Sequence, residues 1–264
     1  MVKVLVGADP EVFVKQNGKF VSAHGLIRGD KKNPQPVKHG AVQVDGMALE
    51  FNIDPAATEK EFCLNIQSVF DQLKLMVPDH EVLAVPVADF SLKYLAEQPK
   101  EALELGCDPD FNAWLGKVNP RPDGNRPMRT ASGHVHIGWT NGANPQEENH
   151  VHQASMVVRQ MDFFLGLPSL MYDPEVRRRE MYGAAGACRY KSYGVEYRTL
   201  SNAWLLNKKR MAWVFRAVQE GMKQLMNGNA LEDKYGDIQK IINTSDIKSA
   251  TAIIRDAKLE VPNA

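Results

Sequence analysis

The sequence predicts an α+β protein built on antiparallel strands, and three observations carry that reading. Residues 2–51 run as short apolar or alternating stretches broken by turn residues, the pattern of hairpin-connected strands. Later stretches repeat apolar residues every three or four positions, the period of helices with one buried face. Between those helices lie two further strand-like segments, at 132–139 and 195–199. The chain has 264 residues, 44% hydrophobic and 24% charged, which excludes a disordered or fibrous protein. A chain of this length buries roughly three quarters of its unfolded surface. One domain over 1–264, with C-terminal helices from about 203, is therefore expected.

Taken in order, Val12-Phe13-Val14, Phe20-Val21 and Ala41-Val42-Gln43-Val44 read as strands, separated by Asn17-Gly18 and closed by Asp45-Gly46. Phe62, Ile66, Val69, Phe70, Leu73 and Met76 mark a helix, and Thr58 with Glu61 makes a capping-box start. Residues 98–129 hold Pro99, Pro109, Pro120, Pro122 and Pro127, too many helix breakers for regular structure, so an ordered long loop anchored by Phe111 and Trp114 is expected. Ala154, Val157, Val158, Met161, Phe164 and Leu165 mark a second helix, and Met211, Val214, Phe215, Val218, Met222 and Leu225 a third. Residues 173–201 combine Arg177-Arg178-Arg179 with Gly183, Gly186 and Gly194, so flexibility and positive charge are expected to coincide there. Small helices should close the chain between about 231 and 257.

Function classes narrow on charge and cysteine usage. Lys+Arg and Asp+Glu both number 32, leaving no electrostatic reason for wholesale binding to nucleic acid or an anionic membrane. Cys63, Cys107 and Cys188 are odd in number and form no C-x-x-C, so neither a disulfide framework nor a thiolate zinc site is expected. Val2 to Gly7 is too short for a signal core and no stretch approaches the ~20 apolar residues of a membrane span, which together predict a soluble cytoplasmic protein.

Chemistry concentrates in a few places. In Gly133-His134-Val135-His136-Ile137-Gly138 the two histidines, two residues apart on a strand, share one face, and the glycines would let a ligand approach the backbone. His150 and His152, in a polar segment where a helix starts, read as solvent-exposed. Glu11, Glu50 and Glu196 sit in strand-like, otherwise apolar settings. A buried carboxylate needs a cation, hydrogen bonds or a shifted pKa, and a divalent metal answers all three, although Glu196 could instead pair with an arginine such as Arg189. Carboxylates with one or two histidines suit Mg²⁺ or Mn²⁺ better than structural zinc. Arg177, Arg178, Arg179, Arg189, Lys191 and Arg198 supply guanidinium forks and an ammonium for phosphate. Neither a P-loop nor a dinucleotide fingerprint is present.

Four segments stand in a characteristic order: Gly7-Ala8-Asp9-Pro10-Glu11, Asp45-Gly46-Met47-Ala48-Leu49-Glu50, the H-x-H strand, and Tyr182-Gly183 through Tyr193-Gly194-Val195-Glu196-Tyr197-Arg198-Thr199-Leu200-Ser201-Asn202. Together they resemble the glutamine-synthetase-fold carboxylate-amine ligases, a superfamily that includes the gamma-glutamylcysteine synthetases, and within it the phage-type COOH.NH2 ligase family (type 2). The resemblance spans roughly residues 2–216. It implies an antiparallel sheet curved into a half-barrel with helices on its outer face, metal-bound ATP at one end and a carboxylate substrate at the other. It places Glu11, Glu50, His134 and Glu196 as metal ligands and His136 and Arg198 on the nucleotide phosphates. Arg189 and Lys191 join them there, as does Arg179, with Arg198 and Arg189 as the catalytic clamp.

The implied reaction is ATP- and Mg²⁺-dependent amide or isopeptide formation through an acyl phosphate, in a phage-encoded enzyme acting in the host cytoplasm on small-molecule or peptide acids and amines. Segment 176–190 would close over the intermediate. Asp9, Asp45 and Glu148 are the candidates for the amine's base. A metal-dependent hydrolase of amides or phosphates would use the same carboxylates without ATP, and a binding protein on a dead ligase fold is a second alternative.

Overall fold

Hairpins occupy the first part of the chain because its turn residues demand them. In the computed structural model, which describes residues 3–103, 110–121 and 126–262, β1 (Leu5–Gln16) reverses at Asn17 (φ 51°) and Gly18 (φ 75°) into β2 (Lys19–Val21). Positive φ at both central residues is what a tight two-residue hairpin requires. β3 (Gln35–Val37), β4 (Gly40–Asp45) and β5 (Ala48–Ile53) follow as a meander.

The predicted first helix is α1 (Glu59–Met76). Thr58 caps it by accepting from Glu61 N at 3.2 Å, a contact worth about 1 kcal/mol. The Glu61 carboxylate reaches back one residue further than a regular capping box and accepts from Ala57 N at 2.8 Å.

β6 (Glu81–Leu83), β7 (Val87–Asp89), α2 (Leu92–Ala96) and α3 (Lys100–Leu103) come next, then β8 (Phe111–Asn112), β9 (Lys117–Val118) and β10 (Met128–Thr130). This corrects the expected 98–129 loop, which is partly regular. The prolines limit element length without preventing it, and Asn112 Oδ1 makes a tight turn of the β8–β9 hairpin by accepting from Trp114 N and Leu115 N, each at 3.0 Å. Cys107, Pro109 and Pro122 lie outside the described residues. Among those described, Cys63 and Cys188 are free thiols.

The remaining elements are β11 (Gly133–Gly138), α4 (Glu148–Met161) running into a π-helical turn at Asp162–Gly166, α5 (Leu167–Ser169), α6 (Val176–Met181), β12 (Ala187–Lys191) and β13 (Gly194–Tyr197). A 3₁₀ turn at Asn202–Leu206 then leads to α7 (Lys208–Met226), α8 (Glu232–Tyr235), α9 (Gln239–Asn243) and α10 (Ile247–Asp256).

The main sheet is antiparallel and unclosed, in the order β3-β4-β5-β1-β11-β13-β12-β8-β9, with β2 and β6 on the far half of β1 and a separate β7–β10 pair. Period-two alternation gives the sheet two unlike faces. Val6, Ala8, Val12, Leu49, Phe51, Val135, Ile137 and Val195 are buried on the helix side, against Phe62, Ile66 and Val69 of α1, Val157 and Met161 of α4 and Val214 and Val218 of α7. Gly7, Asp9, Glu11, Glu50, His134, His136 and Glu196 occupy the other face. Phe13, Met47, Phe90 and Leu95 form a smaller second core. Among the described residues no helix is long and apolar enough to cross a membrane.

Segment 176–190 is tied down, against the expectation of a flexible lid. Side chains on successive helical residues point about 100° apart, so three consecutive arginines face three directions. Arg177 is exposed, with Asp89 at 3.1 Å and Glu175 at 3.0 Å. Arg178 is 1% exposed and donates to Thr199 O (2.7 Å), Ser132 Oγ (3.1 Å) and Arg198 O (3.3 Å). Arg179 is buried and donates to Glu175 O, Asp173 O and Ser245 Oγ. Limited trypsin digestion should accordingly leave the bonds after Arg178 and Arg179 intact with or without nucleotide; early, nucleotide-suppressed cleavage there would restore the lid.

Candidate functional site

Strand register brings the predicted residues together. On β1 and β11, Gly7 pairs with His136 and Asp9 with His134. His136 pairs with Glu196 on β13, and Glu196 with Arg189 on β12. On the other side of β1, Glu11 pairs with Glu50, which pairs with Gln43 on β4. Six neighbouring strands thus present one polar surface.

Asp9 is its centre. Its Oδ1 lies 3.0 Å from His136 Nε2 and 3.4 Å from His134 Nδ1. Glu196, 1% exposed, lies 3.5 Å from His134 Nδ1 and is flanked by three cations: Arg198 in direct contact, Lys191 at 3.0 Å and Arg189 at 3.6 Å. Arg198 also approaches Asp110 at 3.6 Å. The Tyr193 hydroxyl bonds His136 Nδ1, which turns Nε2 toward Asp9. Beside this group, Glu11 accepts from Ser132 N at 2.7 Å, Glu50 from Gln43 Nε2 at 2.7 Å, and Asp45 pairs with Lys31 at 2.6 Å.

The carboxylates divide into two electrostatic classes. Burial and the neighbouring Asp9 act to raise Glu196, but Arg198, His134 and His136 prevail and hold it at about 2. Asp9 is likewise held well below the usual range, burial being outweighed by His136 and His134. Glu11 is pushed up to about 7 by burial and by Asp45, and Glu50 well above its ordinary value by burial, Asp9, Asp45 and Glu11. Burial and Arg198 depress His134 to about 4, whereas Asp9 overcomes burial to raise His136.

This donor set fits a divalent cation. Asp9, His136 and Glu196 each offer one ligand atom within 4.8 Å of the others. Asp9 Oδ1 and His136 Nε2 are both buried and face each other at 3.0 Å with no further hydrogen-bond partner, so a cation between them would take up the lone pairs they now turn on one another. Two carboxylate oxygens and an imidazole suit Mg²⁺ or Mn²⁺. Glu11 and Glu50 form an adjoining pair, both raised first by burial and then by neighbouring carboxylates.

Between β1, β5 and β11, a cavity of about 640 Å³ opens beside this group, its walls including Leu5, Gly7, Ile53, His136, Trp139 and Tyr193. Gly7 and Gly138 also line it, and a Cβ at either would make only ordinary contact, 3.4 Å from His136 Cβ and 3.5 Å from Tyr193 O.

Several sequence expectations change here. Asp9, considered only as a base, joins the candidate metal group, and His136, at 3.0 Å, meets it more closely than the expected ligand His134 at 3.4 Å. Arg179 faces Asp173 and Ser245, so it is not a phosphate ligand in this arrangement. Gly133 leaves no room for a ligand, because a Cβ there would lie 2.3 Å from Trp204 Nε1 and 2.4 Å from Ser201 O. His150 is buried, with Nε2 2.9 Å from Lys191 O and 3.2 Å from Gly194 O and its ring stacked on Trp139, so it braces the β12–β13 turn; His152 is exposed as expected. Glu148 is exposed in the first turn of α4, which leaves Asp9 and Asp45 as the base candidates near the cluster.

Residues 128–234 match the family described as phage phiEco32-like COOH.NH2 ligase-type 2. The match contains His134, His136, Arg189, Lys191, Glu196 and Arg198, whereas Asp9, Glu11 and Glu50 precede it. No curated protein matches the chain. Among solved structures it is similar to one titled "Crystal structure of novel glutamine synthase homolog", with 12% identity and a TM-score of 0.36 over 96% of this chain and 66% of that one. A second is titled "GmaS/ADP complex-Conformation 1", with 13% identity and a TM-score of 0.38 over 97% of this chain and 70% of that one. The chain therefore spans just under two thirds of the first.

Proposed function

We propose that this chain, which carries the COOH.NH2 ligase type 2 segment over residues 128–234, is a phage-encoded carboxylate-amine ligase that uses ATP and Mg²⁺ and forms an amide through an acyl phosphate. The catalytic unit is taken as 1–264. The observation that carries the reading is the surplus of cations on Glu196: Arg198, Arg189 and Lys191 converge on one carboxylate beside the buried Asp9–His136 pair. A metallohydrolase of amides needs the carboxylates and histidines but has no use for three cations suited to phosphate, and one of phosphates would act without ATP.

In this reading the apolar cavity takes the adenosine, with Trp139 and Tyr193 beside the base. Mg²⁺, held by Asp9, His136 and Glu196, with Glu11 and Glu50 serving a further ion, would neutralise phosphate charge. Arg198 and Arg189 clamp the γ-phosphoryl group in line with an acid oxygen, and Lys191 balances the charge left on the departing ADP. The acid oxygen bonds phosphorus as the bond to the ADP oxygen breaks. The amine nitrogen then attacks the acyl carbon, phosphate leaves with the carbon–oxygen electron pair, and the ammonium proton passes to a carboxylate base.

An acid and amine screen with ADP release as readout identifies the substrates. With the correct acid, hydroxylamine in place of the amine should yield hydroxamate and ADP in about equal amounts. AMP with pyrophosphate would indicate an acyl adenylate, and hydroxamate without ATP would favour the hydrolase.

A further inference from the structure

Tyr182 ends α6 with an extended backbone (φ −138°, ψ 154°), its amide donating to Arg178 O at 2.7 Å. Gly183 follows at φ 77°, and a Cβ there would lie 2.0 Å from Arg178 Nη1, so only glycine lets the chain pass over that guanidinium. Arg178 in turn holds the carbonyls of Arg198 and Thr199 and the hydroxyl of Ser132. The backbone at Tyr182 is thereby tied, through Arg178, to the chain segment that carries Arg198. Its phenolic oxygen is buried and has no hydrogen-bond partner, while Arg198, Glu11, Asp110 and Asp45 are the charged groups around it. A built, unpaired donor at that place calls for an acceptor.

The order of residues along the strands says which one. Gly7, Gly138 and Asn52 line the cavity. Two positions further along the strands stand Asp9, His136 and Glu50, and beyond these Glu11 and His134; on β13 the same direction runs from Gly194 through Glu196 to Arg198. A nucleotide with its base in the cavity reaches Arg198 and Tyr182 last, with its terminal phosphate.

We propose that Tyr182 donates its O–H to the γ-phosphoryl group that is transferred, at the end of the strands that carries Arg198. The proposal rests on the ligase reading. Burial pushes the phenol up to about 12, so it stays protonated and acts as a donor, not as a metal ligand.

The test is calorimetric titration of wild type and Tyr182→Phe with Mg-ADP and with Mg-AMP-PCP, a non-hydrolysable ATP analogue, alongside melting curves. Phe keeps the ring and removes only an unpaired buried hydroxyl, so the melting temperature should hold or rise. Affinity for Mg-ADP should stay within about twofold, while affinity for Mg-AMP-PCP should fall about tenfold, as loss of a hydrogen bond to a charged group predicts. Unchanged affinity for both nucleotides would overturn the assignment and leave the ligase reading standing. Equal losses for both, or losses accompanied by a lower melting temperature, would also overturn it, by making Tyr182 a general or structural contact. Failure of wild type to bind either nucleotide would overturn the ligase reading and this proposal with it.

Discussion

Arg198→Ala is expected to lower acid-dependent ADP formation by about 10³-fold or more, the range seen when an arginine that stabilises a transferring phosphoryl group is removed. Its guanidinium is buried, touches Glu196 and lies 3.3 Å from His134 Nδ1, so truncation removes the clamp and also unbalances the site. Glu196 would keep Lys191 at 3.0 Å and Arg189 at 3.6 Å, so stability should fall without global unfolding. Arg198→Lys restores charge but not the planar fork, and should recover stability better than turnover. ADP and hydroxamate assays, normalised to the folded fraction from melting curves, separate the two effects. If turnover per folded molecule stays near wild type, Arg198 is only Glu196's counterion and the phosphoryl clamp lies elsewhere.

Much of this site was legible because β-strand periodicity is local. His134 and His136 share a face by the rule of two, and the same rule applied to β1 pairs Asp9 with Glu11, the signal that would have marked Asp9 as a candidate ligand. The strand pairings were not legible: that Glu11 opposes Glu50, or that Glu196 opposes both His136 and Arg189, depends on contacts between distant segments. Helical phase defeated the reading of Arg177-Arg178-Arg179, since a run of identical residues carries no periodicity to show which one faces inward. His150 was misread for a related reason. Its neighbours are polar, but the residues that bury it, Trp139 and the β12–β13 turn, come from elsewhere in the chain.

With metal removed by chelator, Glu11 and Glu50 should make the protein less stable as pH rises, and Mg²⁺ should offset that loss. Glu11 has a folded pKa of about 7 against an ordinary 4.5. A raised folded pKa means the stabilising contribution is complete below about 4.5 and is lost as pH climbs through 7; at about 1.4 kcal/mol per unit this is about 3 kcal/mol. Glu50, also raised, acts in the same direction. Glu196 has the opposite sign: held at about 2, it stabilises above 4.5 and loses that contribution as pH falls toward 2. Asp162, pushed up to about 7 by burial, and His136, raised against burial by Asp9, add to the loss as pH rises, while His134, depressed to about 4, opposes it below about 6.5. The share of Glu11 and Glu50 between pH 5 and 8 is therefore read as the difference between wild type and their Gln variants. A divalent ion supplies the missing positive charge in place of protons, so the Mg²⁺-induced rise in melting temperature should be small at pH 5 and large at pH 8, with proton release visible as a buffer-dependent binding enthalpy. Glu11→Gln and Glu50→Gln should each flatten the chelated profile, melt no lower than wild type at pH 8 without metal, and weaken the Mg²⁺ response. Chelated pH profiles of Glu11→Gln and Glu50→Gln that run parallel to wild type, or a Mg²⁺ shift of equal size at both ends, would show that these carboxylates are satisfied within the protein and hold no ion.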